Sequence, residues 1–314
     1  MRKSQPVIAI LGPTAVGKTR ISIPLAERFE GEIVSVDSRL IYRGMDIGTA
    51  KPTLQERERV PHHLIDVTDP DDTWNLAKFS DAALNVIHDI HCRGKAAFLV
   101  GGTGQYLRAI LEGWTPPPSA ESPRLREKLE VTAANNGYEA LHKQLQEVDP
   151  ASAERIDPRN VRRIIRALEI FHTTGKPASL QREKNPPPFE ILRIGLTLPR
   201  QKLYQRIDQR IDLMIEAGWI EEVQELIDSG ISPALPSLSA IGYAQLAAYL
   251  GGEMDLDSAI VEIRRLSRQF VRRQANWFKA DDPGIQWFDA VTGVDEQIAR
   301  VIERWLSGIA KAGH

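Results

Sequence analysis

The first part of the chain alternates short apolar runs with longer stretches in which apolar residues recur at helical spacing. Four of these runs predict buried β-strands, at residues 6–11, 32–36, 63–67 and 95–100. The stretch 73–93 has apolar residues at the period of a helix and lies between the last two runs. Strands that alternate with helices favour right-handed βαβ units, so we expect an α/β fold with a parallel sheet flanked by helices.

The alternation stops at two proline-rich stretches, 115–119 and 185–188, which predict extended linkers. Between them, residues 122–184 show helical periodicity and almost no strand signal, whereas 190–198 is again a buried-strand pattern. The sequence therefore predicts a mostly helical insertion domain at 116–189 within an α/β domain made of 1–115 and 190–314. Further helices are expected at 202–217, 220–228, 240–250 and 256–279.

Composition narrows the classes of protein that the chain can belong to. It has 314 residues, 42% hydrophobic and 26% charged, which is enough for a sizeable core and ordinary for a globular protein. The net charge of −2 excludes a polybasic coat, so any nucleic-acid site must come from local clustering of charge. The lone Cys92 excludes an internal disulfide, and no apolar run is long enough to span a membrane. We expect a cytoplasmic protein.

The first predicted strand runs into a glycine loop that fits the pattern G-x-x-x-x-G-K-[ST], with a helix expected after it. Its backbone N–H groups and the helix N-terminus would converge on phosphate oxygens, Lys18 would add a charge, and the Thr19 hydroxyl would ligate Mg²⁺. The pattern predicts a di- or triphosphate site and leaves open what the phosphate is attached to. The candidate residues of this phosphate loop are Gly12, Pro13, Thr14, Ala15, Val16, Gly17, Lys18 and Thr19.

Two further segments follow predicted strands and should meet the phosphate loop at the same sheet edge. Asp37 ends the second strand, where it could support Mg²⁺ or act as a general base, and a long basic loop continues to residue 52. The turn 101–104 is rich in glycine and opens a helix, which permits close approach of a ligand. The turn does not have the G-x-G-x-x-G pattern, so dinucleotide binding is not supported.

Positive charge is segregated on three helical faces in a chain that is otherwise slightly acidic. Such faces are typical of RNA contacts, and the alternative is a solvated face with salt bridges to nearby Glu residues. The third face follows a strand end, where its residues could point at a ligand. The faces comprise Arg159, Arg162, Arg163 and Arg166; Arg264, Arg268 and Arg272; and Lys202, Arg206 and Arg210.

Several long segments together resemble one family, the tRNA dimethylallyltransferases of bacterial type, also called tRNA isopentenyltransferases. The resemblance runs in order from about residue 7 to 287 and is weakest between 114 and 160. The segments that carry it are GPTAVGKT (12–19), DSRLIYRGMDIGTAKP (37–52), PHHLID (61–66), GGTGQYLRA (101–109), RRIIRALEIF (162–171), IGYAQL (241–246) and RQFVRRQANWF (268–278).

The resemblance implies transfer of a dimethylallyl group from dimethylallyl diphosphate to the N6 amine of an adenosine beside the tRNA anticodon, with release of diphosphate. It implies a fold like that of P-loop kinases, a helical insertion that grips the anticodon stem-loop, and Mg²⁺ on Thr19. We expect a monomer. By the same resemblance, Asp37 and Thr103 would be catalytic, with Asp37 as the base, and Arg210 would join the phosphate loop in binding the donor. The implied tRNA contacts are Asp37, Ser38, Arg39, Leu40, Thr103, Arg126, Arg162, Arg163, Ile164, Ile165 and Arg166.

Three other functions fit parts of the pattern. A P-loop small-molecule kinase would use the same loop with the insertion as a lid, although it leaves the basic helix near the C-terminus without a role. A prenyl transferase acting on free adenine nucleotides would not need the helical insertion. An RNA-binding protein without catalysis would not need Asp37 and Thr103.

Overall fold

The computed structural model describes residues 6–115, 123–181, 183–185 and 187–312. The chain divides into two compact units, one made of Met1–Leu111 with Pro187–His314 and the other of Glu112–Pro186. We call them the core unit and the insert. The sequence places this division after residues 115 and 189. The predicted linker residues 116–119 lie outside the described part of the chain.

Strands and helices alternate through the core unit, and helices dominate the insert. The strands are β1 (Pro6–Leu11), β2 (Glu32–Val36), β3 (His62–His63), β4 (Ala97–Gly101), β5 (Trp114–Thr115), β6 (Glu183–Lys184), β7 (Glu190–Thr197) and β8 (Gln286–Asp289). The helices are α1 (Lys18–Arg28), α2 (Leu54–Arg59), α3 (Leu76–Cys92), α4 (Gly104–Glu112), α5 (Pro123–Val148), α6 (Pro150–Arg155), α7 (Val161–Thr174), α8 (Arg200–Glu216), α9 (Trp219–Asp228), α10 (Tyr243–Leu250), α11 (Leu256–Ala275) and α12 (Val294–Ala312).

The core unit is built on a parallel sheet with the strand order β3-β2-β4-β1-β7-β8. β1 is central, and residues 7–11 are fully buried, as expected for a continuous apolar run covered on both faces. Because the strands are parallel, the carboxyl ends of β1, β2 and β4 lie at one edge. That edge is where an open α/β sheet binds its ligands.

Two glycines allow the backbone to lie close to a neighbouring strand at this edge. A Cβ on Gly12 would lie 2.7 Å from the Leu196 carbonyl oxygen, and the residue has a φ of 153°. A Cβ on Gly101 would lie 2.1 Å from the Val36 carbonyl oxygen, so β4 can approach β2 only without a side chain there.

The structure corrects several predicted elements. The strand expected at 63–67 is limited to β3, because Leu64 and Asp66 have φ values of 60° and 55° and turn the backbone out of the sheet. The last helix before the C-terminal region ends at Ala275 instead of continuing to residue 279. β8 and α12 were not predicted, although Ile298 and Ile302 of α12 are buried in the core.

The insert has its own small apolar core. Leu141 and Leu145 of α5 pack with Ile164 and Leu168 of α7, and all four are buried. Asp149 is 1% exposed, and its carboxylate accepts the N–H groups of Ser152 and Ser179, which ties the start of α6 to the 3₁₀ turn Ala178–Leu180 that follows α7. Across the described residues of both units, no helix is long and apolar enough to cross a membrane.

Candidate functional site

The phosphate loop connects β1 to α1 at the carboxyl edge of the sheet, as its spacing predicts. It borders a cavity of about 460 Å³ within the core unit. The polar side chains around this cavity include the cations Lys18, Arg20, Lys51, Arg206 and Arg210 and the carboxylates Asp37 and Glu56. Lys51 is paired with Asp46 and Asp66, but the other four cations still outnumber the two carboxylates, which makes the cavity suitable for an anion.

Lys18 lies within the phosphate loop itself. Its Nζ donates to the carbonyl oxygens of Gly12 and Pro13, at 3.0 and 2.9 Å. Burial lowers the pKa of Lys18 to about 8; the charge of Asp37 opposes this shift and that of Arg210 adds to it. The ammonium therefore has partners that hold it in place without neutralising its charge.

Two arginines of α8 reach the phosphate loop from a distant part of the sequence. Arg210 Nη2 lies 3.4 Å from Thr14 Oγ1, and burial lowers the pKa of this guanidinium. Arg206 Nη1 donates to the Val16 carbonyl oxygen at 3.2 Å. Both arginines line the cavity at the sheet edge, whereas Lys202 is exposed and is not among the residues that line it; binding of a ligand by this helical face stays a prediction.

Asp37 is half-buried at the end of β2 and lines the same cavity. Its Oδ1 accepts the N–H of Arg39 at 2.9 Å, while Oδ2 accepts no hydrogen bond from the described residues. Thr103 is nearby, because its Oγ1 accepts the N–H of Ser38 at 3.3 Å. The structure thus brings together the two side chains that the family resemblance assigns to catalysis, and one carboxylate oxygen is available to accept a proton.

The loop that follows Asp37 is held by two charged anchors that the sequence analysis did not identify. The Lys51 ammonium is 3% exposed and bonds to Tyr42 O at 2.6 Å and to the carboxylates of Asp46 and Asp66. Glu222 of α9 accepts the N–H groups of residues 46–48, at 2.8, 2.7 and 3.2 Å. No spacing signal in the sequence could have identified Glu222, because its partners are backbone groups far away in the chain.

Two residues predicted to contact tRNA in this loop have different environments. The Arg39 guanidinium donates to the carbonyl oxygens of Pro236 and Ser237, at 2.6 and 3.1 Å. These bonds hold the Arg39 side chain against the loop before α10, and its contact with tRNA stays a prediction. Leu40 lines the cavity beside Asp37.

The basic face of the insert divides into free and paired arginines. Arg162 and Arg163 are exposed, and neither has an ion-pair partner among the described residues. Arg159 pairs with Asp157 at 2.9 Å. Arg126 donates to the buried Glu169 carboxylate at 2.8 Å, and Arg166 forms an ion pair with the same carboxylate at 3.6 Å.

Ile164 and Ile165 require a correction. Their side chains are 0% and 4% exposed in the core of the insert. They cannot contact RNA from there, so their role on α7 is to pack this helix and thereby present Arg162 and Arg163 to solvent.

The arginine face of α11 is mainly an internal ion-pair surface. Arg268 pairs with Asp208 at 2.5 Å, and Arg264 pairs with Asp212, which joins α11 to α8. Arg272 is exposed. The salt bridges expected in the alternative interpretation are therefore present at Arg264 and Arg268, but their partners are aspartates of α8 and not glutamates.

A larger, open groove of about 1020 Å³ lies in the insert, far in sequence from the phosphate loop. Glu139, Glu154 and Asp157 contribute carboxylates to its wall, which makes it unsuitable for a diphosphate. Among the residues that the structure describes, no group of three His, Cys, Asp or Glu side chains could hold a metal ion.

Comparison with known proteins assigns the chain to a family. A sequence model of the family described as IPP transferase matches residues 40–281. The chain belongs to the IPP transferase family. Two similar relatives are each named tRNA dimethylallyltransferase. The one from Thermomicrobium roseum is 48% identical over 98% of this chain and 93% of the relative, and the one from Roseiflexus sp. is 51% identical over 96% and 99%.

Solved structures of IPP transferases have the same fold. The full-length tRNA isopentenylpyrophosphate transferase of Bacillus halodurans is 41% identical, with a TM-score of 0.74 over 99% of this chain and all of that one. A eukaryotic dimethylallyltransferase, solved while acting on tRNA, is 29% identical, with a TM-score of 0.83 over 97% and 80%. The family resemblance and the P-loop NTPase-like α/β fold with its helical insertion are thereby confirmed.

Proposed function

We propose that this IPP transferase moves the dimethylallyl group of dimethylallyl diphosphate onto the N6 amine of an adenosine beside the tRNA anticodon, releasing diphosphate. One observation carries the proposal. Lys18, Arg210 and Asp37 surround one cavity at the sheet edge, in a chain whose whole-length relatives are named tRNA dimethylallyltransferases. The cavity combines an anion site with a free carboxylate oxygen, and the reaction requires both.

The phosphate loop would hold the donor's diphosphate. Backbone N–H groups at the start of α1 and the charges of Lys18, Arg206 and Arg210 would stabilise the negative charge that grows as the C1–O bond breaks. These groups are already oriented by hydrogen bonds to loop carbonyl and hydroxyl oxygens. Little reorganisation is then needed as diphosphate leaves with the bonding electron pair.

Asp37 would act on the nucleophile. The adenine amine is a weak nucleophile, and as its nitrogen bonds to C1 the amine must lose a proton. Asp37 Oδ2 can accept that proton, while Oδ1 stays bonded to the backbone of Arg39 and fixes the carboxylate orientation. Thr103 lies against the next residue, Ser38, and would help to position the incoming base.

The residues around the phosphate loop fit a magnesium ion that has few protein ligands. Thr19 brings a hydroxyl to the cavity, and Asp37 brings a carboxylate. Magnesium in such sites keeps several waters and uses one or two protein oxygens with substrate phosphates. When bound, it would offset charge on the diphosphate oxygens, and Thr19 is the residue that we propose as its ligand.

The insert would bind the anticodon stem-loop. Arg162 and Arg163 offer unpaired positive charge on α7, which suits contacts to RNA phosphates. An adenosine in a loop leaves its stack at lower cost than one in a duplex, and this favours a loop as the target. The cytoplasmic location and the monomeric state stay predictions.

One assay tests the reaction. The protein is incubated with Mg²⁺, dimethylallyl diphosphate and unmodified tRNA, and the nucleosides are analysed by mass. We expect the mass of one dimethylallyl group on adenosine and stoichiometric diphosphate. Parallel incubations with ATP and small acceptors, or with free adenine nucleotides in place of tRNA, address the kinase and free-nucleotide alternatives. Product in either of these alone would contradict the proposal.

A further inference from the structure

Gln274 is a buried polar residue close to the C-terminal end of α11, with 5% of its surface exposed. Both ends of its carboxamide are used. Oε1 accepts the N–H of Thr14 at 2.8 Å, and Nε2 donates to the carbonyl oxygen of Gly102 at 3.0 Å. A Cβ on Gly102 would lie 2.4 Å from that nitrogen, so the bridge requires glycine at this position.

The two partners of Gln274 belong to the two halves of the proposed reaction. Thr14 is in the phosphate loop, and its hydroxyl lies 3.4 Å from an Arg210 nitrogen. Gly102 precedes Thr103, whose hydroxyl accepts the N–H of Ser38, the residue after Asp37. A single carboxamide therefore links the phosphate loop, which would bind the donor, to the glycine turn next to Asp37, the proposed general base.

A second contact from the same end of α11 reaches the same turn. A Cβ on Gly104 would lie 2.1 Å from the Trp277 ring, so the indole packs directly against this glycine. The turn between β4 and α4 is thus held on both sides of Thr103, by a hydrogen bond at Gly102 and by an aromatic ring at Gly104. Of these two side chains, Gln274 is the one that also bonds to the phosphate loop, through the N–H of Thr14.

We propose that Gln274 is a positioning residue for prenyl transfer, which sets the distance between the donor's reacting carbon and the amine. The inference rests on the proposed function. Two reacting groups must be held close to their attack geometry, and a displacement of about 1 Å can cost about 10²-fold in rate. Both ends of the Gln274 carboxamide are bonded to protein backbone, so we assign it a role that acts through Thr14 and Gly102.

The chemistry of the carboxamide makes the role testable, because the bridge needs one acceptor and one donor. Methionine fills nearly the same volume and supplies neither. Glutamate accepts from Thr14 N–H, but as a carboxylate it repels the Gly102 carbonyl; protonated, it regains a donor. The activity of Gln274→Glu relative to the unchanged protein should therefore rise as the pH is lowered.

The experiment compares Gln274→Met and Gln274→Glu with the unchanged full-length chain. The single-turnover rate is measured at saturating Mg²⁺, dimethylallyl diphosphate and tRNA, together with the dissociation constants of donor and tRNA and the thermal midpoint. We expect Gln274→Met to lower the rate of the folded protein by about 10- to 100-fold. Both dissociation constants should change by less than about threefold, because the groups that bind each substrate remain.

Gln245→Met is the matched control. Gln245 accepts the N–H of Gly242 at 2.8 Å at the start of α10 and bonds to neither the phosphate loop nor the glycine turn. This variant should lose a local cap and keep its single-turnover rate.

Three results would overturn the inference: a Gln274→Met rate within threefold of the unchanged protein, a loss that appears only as weaker donor binding, or a Gln274→Glu activity ratio that does not change with pH. The proposed function fails separately, since it falls if the unchanged protein forms no prenylated adenosine.

Discussion

The two edges of the core sheet carry the same kinds of charged residue, but these residues serve different purposes at each edge. At the amino edge, the Glu32 carboxylate is 4% exposed and is bonded to His63, Arg93 and Lys95, at 2.7, 2.7 and 3.0 Å. At the carboxyl edge, Lys18, Arg206 and Arg210 donate to carbonyl and hydroxyl oxygens instead. The two edges therefore differ in the type of partner, which is a carboxylate at the amino edge and a neutral oxygen at the carboxyl edge.

Partner type decides whether a charge contributes to stability or to binding. Burial alone would raise the pKa of Glu32, but hydrogen bonds from Arg93, His63 and Lys95 lower it to about 2. The Arg93 and Lys95 cations are engaged in holding the carboxylate and have little charge to offer a ligand. Neutral oxygens orient the cations at the other edge and leave their charge for an anion.

We expect the largest effect when the acid at the carboxyl edge, Asp37, is replaced. Asp37→Asn keeps the shape of the side chain and cannot accept the amine proton. The single-turnover rate at saturating substrates should fall by about 10²–10⁴-fold, with little change in binding of either substrate. Full recovery at high Mg²⁺ would instead assign Asp37 to metal support, and a rate within a few-fold of the unchanged protein would place the base elsewhere.

Removing a cation from the same edge should cost somewhat less. Lys18→Ala should lower kcat/KM for the donor by about 10²-fold while the fold persists, because the ammonium stabilises the leaving diphosphate. The pKa of Lys18 is about 8, so the charged form disappears as the pH rises through that value. Donor affinity of the free enzyme should therefore fall above about pH 8, and Lys18→Arg should abolish this inflection. Calorimetric titration across that pH range checks both.

The opposite edge should respond in stability and not in catalysis. Glu32→Gln removes the carboxylate to which Arg93, Lys95 and His63 bond and should lower the free energy of unfolding by about 1–3 kcal/mol at pH 7, reduced by the solvent exposure of Arg93 and Lys95. Because the folded pKa of Glu32 is lowered to about 2, its stabilisation is present above about pH 4.5 and is lost as the pH falls towards 2. Urea unfolding should show the difference between variant and unchanged protein shrinking over that window. Loss of activity in the folded fraction would contradict the division of roles.

The smallest effects come from the insert, where the same contrast recurs. Arg162→Ala and Arg163→Ala remove unpaired charge, so each should weaken tRNA binding a few-fold and reduce the log–log salt slope by about 0.7 to 0.9. Arg159→Ala, whose charge is paired with Asp157, is the matched control and should change the slope less. Equal salt slopes for all three variants would show that an ion pair within the protein does not decide which arginines contact RNA.

Much of the carboxyl edge could be predicted from the sequence because its signals are local. The spacing of Gly12, Gly17, Lys18 and Thr19 after an apolar run specifies a phosphate loop whatever surrounds it. Asp37 follows β2 directly, and parallel strands bring their carboxyl ends together, so its meeting with the loop could be expected before any contact was known. The end of β3 could not be predicted because Leu64 has a positive φ, which its residue type does not favour.

The sequence by itself determined the fold class, the phosphate loop, the strand-end acid and the helical faces on which arginines gather, since each depends on residues close together in the chain. Only the tertiary structure decided which of those charges remain available. Arg162 and Arg166 share a helix and a spacing pattern, yet Arg166 bonds to Glu169 and Arg162 faces solvent. Helical periodicity specifies a face but not the partner that packs against it. Gln274 shows the same limit, since the backbone groups it bridges come from segments 260 and 172 residues away.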